Sequence, residues 1–428
     1  MHTVAFKTLG CKLNQAETAM MIRDFTEQGY RVVRWDTGAD VTVLNTCTVT
    51  GRSDSKCRQA IRHALRINPD TTMIVAGCYA QVSAPDIAEI PGVDYIVGIC
   101  EKYNLPGLIA GPGKLKNPCI RVAPVSRLFC AEKHGPGLFA DQTRAFLKIQ
   151  SGCDNACAYC IVPVARGPSR SVPVEEVLRH AGMLVREGHR EIVVTGVHIG
   201  QYGHGGLPVL LQRLTGIEGL KRIRLSSLDP DDVTDDLLDL IAGSDRICNH
   251  LHIPMQSGSD IILKAMNRKY GVRDLNRIVE KIAGRLVNFG LGTDIIAGFP
   301  GETDAMHRET MDFVASLPFS YLHVFPFSRR QGTRAADMKG QVAHTIIQNR
   351  INDLKELGRQ KKKKFQEKYL NRDVTILTES RSTGKWMGGF SPEYLRVEIP
   401  RQSCPANELV TVHVTSSVSH AVRGHVCG

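Results

Sequence analysis

Cys153-Asp154-Asn155-Ala156-Cys157-Ala158-Tyr159-Cys160 is a C-x3-C-x2-C run, entered from the apolar Phe146-Leu147-Lys148-Ile149-Gln150 and left through Ile161-Val162-Pro163. Three thiols within eight residues can converge on one soft metal centre. A helix would spread them along and around its axis, so the spacing predicts a loop at the end of a strand. The run lacks a fourth cysteine. Four thiolates close a structural zinc site, whereas three that hold an iron–sulfur cluster leave one iron open to a further ligand. On the triplet alone, a zinc knuckle completed by a nearby histidine competes with that reading.

The residues downstream place the triplet in a repeating architecture. Strand candidates are 145–150, 191–195, 222–225, 251–254, 293–297 and 321–325, with helical stretches at 174–187, 208–215, 232–242, 260–266 and 273–286 between them. The alternation predicts a (β/α) barrel, complete or partial, whose functional groups lie on the loops that follow the strands. The triplet follows the first of these strands. Thr195-Gly196-Val197-His198-Ile199-Gly200, Ser226-Ser227-Leu228-Asp229-Pro230, Ile253-Pro254-Met255-Gln256-Ser257-Gly258-Ser259 and Gly298-Phe299-Pro300-Gly301-Glu302-Thr303 follow later ones. Glycine and small hydroxyl residues there let the backbone approach a ligand, and together with the cysteines they describe a cofactor pocket. His198 and His252 read as hydrogen-bonded structural histidines, with a ligand or acid–base role as the competing reading.

Upstream, 3–9, 41–44, 73–76 and 95–97 read as short buried strands, and 15–28, 54–66 and 85–89 as helices. This is the pattern of a small parallel sheet covered on both faces, with ligands at the carboxyl ends of its strands. Cys11, Cys47 and Cys78 each stand just past a strand end in Leu9-Gly10-Cys11, Asn45-Thr46-Cys47 and Ala76-Gly77-Cys78. Parallel strands bring all three to one edge, which predicts a second three-thiolate site. Unlinked buried thiols are the competing reading. Cys57, Cys100, Cys119, Cys130, Cys248, Cys404 and Cys427 show no such placement and read as ordinary thiols.

Residues 104–141 are rich in Gly and Pro and read as a connection carrying a short strand near 119–122. Residues 342–370 read as one long helix. Between Arg329 and Arg372 there are thirteen Lys or Arg against four acids, in a chain of net charge +11. A local excess of that size points to a polyanion, and nucleic acid is the commonest one. The remainder, with strands at 374–377, 395–399 and 409–414 and with Trp386, Phe390 and Tyr394 in a glycine-bearing connection, reads as a small β-barrel of the kind that stacks bases on aromatic rings, with a core role for Trp386 and Phe390 the equal alternative. Thirteen cysteines in 428 residues, an odd count, fit a reducing compartment and metal chemistry better than a secreted disulfide scaffold. No apolar run is long enough to span a bilayer, and the amino terminus lacks a signal-peptide pattern. No Walker loop, H-E-x-x-H run or Ser–His–Asp pattern is present.

The triplet resembles the signature of the radical S-adenosylmethionine (SAM) enzymes. With Thr8-Leu9-Gly10-Cys11-Lys12-Leu13-Asn14, Asn45-Thr46-Cys47-Thr48-Val49-Thr50, Gly77-Cys78-Tyr79-Ala80-Gln81 and the extension 160–171, the whole chain is similar to the methylthiotransferases of that superfamily. The resemblance implies an α/β protein: an amino-terminal cluster domain over 1–115, a linker over 116–143, a radical-SAM partial barrel with its basic helix over 144–368, and a TRAM-type all-β barrel over 369–428. It implies two [4Fe–4S] clusters, one on Cys153, Cys157 and Cys160 with SAM on its open iron, and one on Cys11, Cys47 and Cys78. Tyr159, Thr195, Gly196, Ser226, Gln256 and Gly298 are the SAM-pocket residues it implies, with no catalytic side chain beyond the cluster ligands.

In the family, the first cluster cleaves SAM to a 5′-deoxyadenosyl radical that takes the C2 hydrogen of an adenine, and the second delivers sulfur that another SAM methylates. Gly10-Cys11-Lys12-Leu13-Asn14 and Thr195-Gly196-Val197-His198-Ile199-Gly200 are most similar to the branch acting on N6-threonylcarbamoyladenosine at position 37 of tRNA. The isopentenyladenosine branch usually carries Gln-Met after the first cysteine, and the ribosomal-protein branch Pro-Lys. The expected partners are a tRNA anticodon loop and an electron donor such as a flavodoxin or ferredoxin, with no membrane and no DNA, in the cytoplasm. A zinc-containing RNA-binding protein without catalysis is the alternative from another class.

Overall fold

The computed structural model describes residues 1–109, 111–125, 135–139 and 142–427. Its first layer is a parallel sheet of β1 (Thr3–Thr8), β2 (Arg31–Val33), β3 (Val41–Thr46), β4 (Thr72–Gly77), β5 (Tyr95–Val97) and β6 (Cys119–Arg121), in the order β2-β1-β3-β4-β5-β6. β3 and β4 are buried along their whole length, which explains their unbroken apolar texture. The edge strand β2 escapes the sequence reading because Arg31 and Val32 face solvent. The sheet also runs past residue 115, since β6 pairs with β5 in parallel. Helix α1 (Lys12–Glu27) packs on this sheet and also against the first strand of the next domain.

That next domain is a partial barrel. β7 (Arg144–Lys148) leads to a short ribbon of β8 (Gln150–Ser151) and β9 (Arg170–Ser171). β10 (Glu191–Thr195) and β11 (Arg222–Leu225) pair as β11-β10-β7, and β12 (His250–His252), β13 (Gly290–Ala297) and β14 (Tyr321–Pro326) as β12-β13-β14. Single parallel bridges, Ile223 to Ile247 and Ser227 to His252, join the two halves. Among the described residues β7 and β14 do not pair, so the barrel is open on that side. α1 lies against β7 there, and the long helix His344–Glu367 against β14. Among the described residues no helix is long and apolar enough to cross a membrane.

The last domain is a closed barrel of β15 (Asp373–Thr383), β16 (Trp386–Phe390), β17 (Arg396–Pro400), β18 (Leu409–Ser417) and β19 (Val422–Val426), ordered β15-β16-β17-β19-β18. Residues 386–390 are therefore a strand and not the connection their glycines imply. Gly388 and Gly389 are needed for close approach: a Cβ on Gly389 would lie 2.6 Å from the Leu377 carbonyl. This barrel closes the amino-terminal end of the larger one. Arg222 donates to the Phe390 and Thr375 carbonyls at 2.8 Å each, Arg224 to Pro392 and Ser391 at 2.9 and 3.0 Å, and Arg144 and Arg190 pair with Glu379 and Glu408.

Candidate active site

The Cys153–Cys160 loop is held by its backbone before any ligand is considered. Gly152 has φ +76° and a Cβ there would fall 1.8 Å from the Pro168 carbonyl, so only glycine fits. The Cys153 N–H donates to Gly167 at 3.1 Å, and the Ala158 N–H to Met266 at 2.9 Å. Charged groups then converge on the thiols from later strand ends. His198 Nδ1 lies 3.7 Å from Cys153 Sγ while its Nε2 is 2.6 Å from Asp232 Oδ2. Arg268 Nη1 donates to Cys157 Sγ at 3.1 Å, and its Nη2 lies 2.7 Å from Asp229. Burial pulls the His198 imidazole down, but its bonds to Asp232 and Cys153 outweigh this and lift it to about 10. Burial pushes the Cys160 thiol up to about 12 and raises Cys157 against the pull of Arg268.

The second trio forms at the carboxyl edge of the first sheet. Cys11 caps α1, Cys47 follows β3, and Cys78 opens the helix Cys78–Val82 after β4. Gly10, at φ +118°, packs so closely that a Cβ would meet Cys47 Cβ at 2.6 Å. Asn14 ties the loops together, donating to the carbonyls of Leu9 and Thr46 at 2.8 and 2.9 Å. The central cation comes from the other domain. Arg166, six positions past Cys160 and fully enclosed, donates to Cys78 Sγ at 3.2 Å, to Asn14 Oδ1 at 2.8 Å and to both oxygens of Glu17 at 2.8 Å. Glu17 also binds Lys102 at 2.5 Å and the Tyr103 hydroxyl at 2.9 Å. Burial alone would raise the Glu17 carboxyl, and Arg166, Lys102 and Lys148 hold it well below the usual range instead.

The donor sets discriminate between metals. Zinc at about 2.3 Å from tetrahedral thiolates holds sulfurs about 3.8 Å apart. Among the described residues the one group of ligand atoms all within 4.8 Å of one another is His252, Asp294 and His323, so neither cysteine trio is drawn that tight. Wider sulfur trios, each with a buried guanidinium on one thiol, suit multi-iron clusters whose thiolates carry net negative charge. Of the other cysteines, Cys57 and Cys248 are buried and Cys100, Cys119, Cys404 and Cys427 partly so. Cys130 lies outside the described residues.

A cavity of about 200 Å³ opens between the two trios, lined by Tyr159, Cys160, Gln256 and Asp294 on the barrel side and by Val49 and Thr50, just after Cys47, on the other. Tyr159 and Gln256 therefore face the same space as Cys160, and Gln256 adopts φ +67° to do so. Gly196 packs on Gln150, whose Oε1 accepts from the N–H groups of Val197 and His198 at 3.0 and 2.9 Å. Thr195 and Ser226 are buried at neighbouring strand ends. Gly298 turns elsewhere: its N–H donates to Glu302 at 2.6 Å and a Cβ would strike Ile347 of the long helix.

Below the cavity the barrel wall carries His252 and His323, 2.9 and 3.2 Å from Asp294 Oδ1. His250 and His252 flank the Tyr321 hydroxyl at 2.9 and 3.0 Å. Outside, a cleft of about 400 Å³ runs between β14, the long helix and the small barrel, with Tyr321, Phe390 and Tyr394 beside Lys355, Arg359 and Lys362. The sequence reading found the cysteines and quoted Asp229 and Arg166 within pocket and family segments, but it gave neither an individual role and did not single out Arg268, Glu17 or Asp232.

Residues 3–98 match the family described as Uncharacterized protein family UPF0004, and residues 147–314 the Radical SAM superfamily. The chain is 42% identical over 406 residues to the threonylcarbamoyladenosine tRNA methylthiotransferase MtaB of Bacillus subtilis (strain 168), covering 93% of this chain and 90% of that one. It is 31% identical to the tRNA-2-methylthio-N(6)-dimethylallyladenosine synthase of Clostridium tetani (strain Massachusetts / E88), covering 99% of this chain and 96% of that one. In fold it is similar to the radical SAM methyltransferase TsrM of Kitasatospora setae, solved with cobalamin and a [4Fe–4S] cluster, with a TM-score of 0.57 at 16% identity over 78% of this chain and 77% of that one.

Proposed function

The chain belongs to the radical-SAM methylthiotransferases, with the tRNA threonylcarbamoyladenosine enzymes, and from that premise we propose that it methylthiolates C2 of N6-threonylcarbamoyladenosine at position 37 of tRNA, in the cavity between Cys160 and Val49. That cavity, bounded on its two sides by segments of the two cysteine trios, is the observation that carries the reading. The family's cofactors are SAM and two [4Fe–4S] clusters. When bound, they supply what no side chain here can: homolytic removal of an unactivated hydrogen and delivery of methylated sulfur. Cys153, Cys157 and Cys160 would hold one cluster, and Cys11, Cys47 and Cys78 the other.

The remaining residues position and shield. Arg268 and the His198 imidazolium offset negative charge on the first trio, and Arg166 does so on the second. Tyr159, Gln256, Thr195, Gly196 and Ser226 frame the SAM side of the mouth, with Gly298 shaping the strand turn behind it. Tyr159, Ile161, Val162, Ile296, Phe325 and Phe327 give the cavity an apolar wall that keeps water from a reactive centre. The tRNA substrate lies along the cleft of Lys355, Arg359 and Lys362, where phosphates meet cations and bases meet Phe390 and Tyr394. Its anticodon loop presents base 37, which a loop can splay out at modest cost. A flavodoxin or ferredoxin as reductant, and a cytoplasmic location beside the tRNA, complete the reading.

The test is nucleoside mass spectrometry on tRNA from a deletion strain. Methylthio-threonylcarbamoyladenosine is expected to vanish and to return with the wild-type chain, but with neither Cys153→Ala nor Cys11→Ala. In vitro, Cys11→Ala is expected still to cleave SAM. Methylthiolation that survives Cys11→Ala overturns the second-cluster assignment. Loss of the methylthio-isopentenyl nucleoside instead moves the substrate to that branch.

A further inference from the structure

The lumen of the partial barrel holds more charge than its two cysteine sites use. Arg224 is saturated by Glu191 at 2.8 Å and by two carbonyls of the small barrel. Arg144 pairs with Glu379 at 2.9 Å. Asp294 takes both His252 and His323. One further cation enters from the side. α1 lies in the gap beside β7, and Lys12, in its first turn, reaches among Tyr394, Arg144, Arg224, Asp294 and His250, all close enough to interact with its ammonium. Among the described residues no hydrogen bond or ion pair engages that ammonium.

A partly buried ammonium held beside two arginines, with no anion hydrogen-bonded to it, is repelled by like charge and stays open to an incoming anion. Such an arrangement is useful where an anion arrives with the substrate. Asp294, which interacts electrostatically with Lys12, also lines the cavity between the cysteine trios, so the ammonium and the space where the base would enter share a neighbour.

We propose that Lys12 is the specificity-determining residue of this chain: from the first turn of α1 it holds the carboxylate of an amino-acid substituent on N6 of the target adenine. The inference rests on the substrate reading above and deepens it. A threonylcarbamoyl group carries a carboxylate that would complete the lumen's charge balance. An isopentenyl group carries none, and seating it there would cover the ammonium with apolar surface and leave it unpaired. Selection would thus act through both attraction and penalty.

The experiment uses the full chain with both clusters, handled anaerobically. Fluorescence anisotropy compares anticodon stem-loops bearing N6-threonylcarbamoyladenosine, its carboxylate methyl ester, and isopentenyladenosine at position 37. The wild-type chain is expected to bind the acid roughly 10- to 100-fold more tightly than the ester, the range of a charge-assisted hydrogen bond. Lys12→Gln is expected to bind acid and ester alike at about the wild-type ester affinity, with iron and sulfide content unchanged. Lys12→Arg is expected to keep part of the preference. A full acid-over-ester preference in Lys12→Gln, or none in the wild type, overturns the inference. The substrate reading falls separately: it fails if the wild type methylthiolates the isopentenyl stem-loop and not the threonylcarbamoyl one.

Discussion

Arg166 does work that no single domain can do alone. Its side chain leaves the barrel six positions after Cys160 and ends on Cys78, Asn14 and Glu17 of the first sheet. Because it is buried with its partners, shortening it leaves Glu17 short of a cation and Cys78 without its donor. Arg166→Met is therefore expected to lower iron from about eight to about four per chain while SAM cleavage persists, as read by iron assay and 5′-deoxyadenosine yield. Lysine cannot reproduce the fork that reaches three partners, so Arg166→Lys should fall between. A second residue gives a pH test. Burial, helped by Glu27, pushes the Asp24 carboxyl up to about 6, and its Oδ2 finds no hydrogen bond. A carboxyl raised on folding costs stability above its folded value, and the cost fades as pH falls through 6 towards the unfolded value near 4. Asp24→Asn should thus raise Tm by roughly 1–2 °C at pH 8 and leave it unchanged at pH 4.

Elements differ in how far the sequence announces them. The parallel strands are legible because burial on both faces writes a continuous apolar run, and the cysteines because their offset from a strand end is local. The strand Trp386–Phe390 is not, because its glycines answer to contacts with Leu377 and Arg396 that only the closed barrel creates. Arg166 and Glu17 stand 149 positions apart, and Arg268 and Cys157 stand 111 apart, so nothing local marks them as partners. The helix His344–Glu367 lies between these cases. Its stripe of Ile351 and Leu354 is plain, while the cleft its Lys355, Arg359 and Lys362 share with Tyr321 and Phe390 depends on where the small barrel docks. If that cleft follows the tRNA backbone, each charge removed releases fewer counterions. Lys355→Gln, Arg359→Gln and Lys362→Gln are each expected to weaken tRNA binding and to flatten the slope of log Kd against log salt by about one. An unchanged slope in all three would place the tRNA elsewhere.

At the scale of the whole molecule, the two cysteine trios belong to different domains, yet the joint between those domains is made of protein. α1 packs against both the first sheet and β7, Glu17 draws Lys102, Lys148 and Arg166 onto one buried carboxylate, and the lower barrel is clamped by arginine–carbonyl bonds. A small zinc domain, by contrast, takes its folding energy from the metal and unfolds without it. With the clusters gone, the Cys47 and Cys160 thiols, at about 11 and about 12 because of burial, stay protonated and neutral at pH 7. Neither of these two then leaves an unpaired thiolate at its site. Anaerobic removal of iron is accordingly expected to leave far-UV circular dichroism within about a tenth of the holo signal, to preserve a cooperative thermal transition, and to confine new proteolysis to the loops around 47–51 and 153–161. If chelation instead abolished the thermal transition, the clusters would be structural pins, and the buried Arg166–Glu17 network could not be what joins the domains.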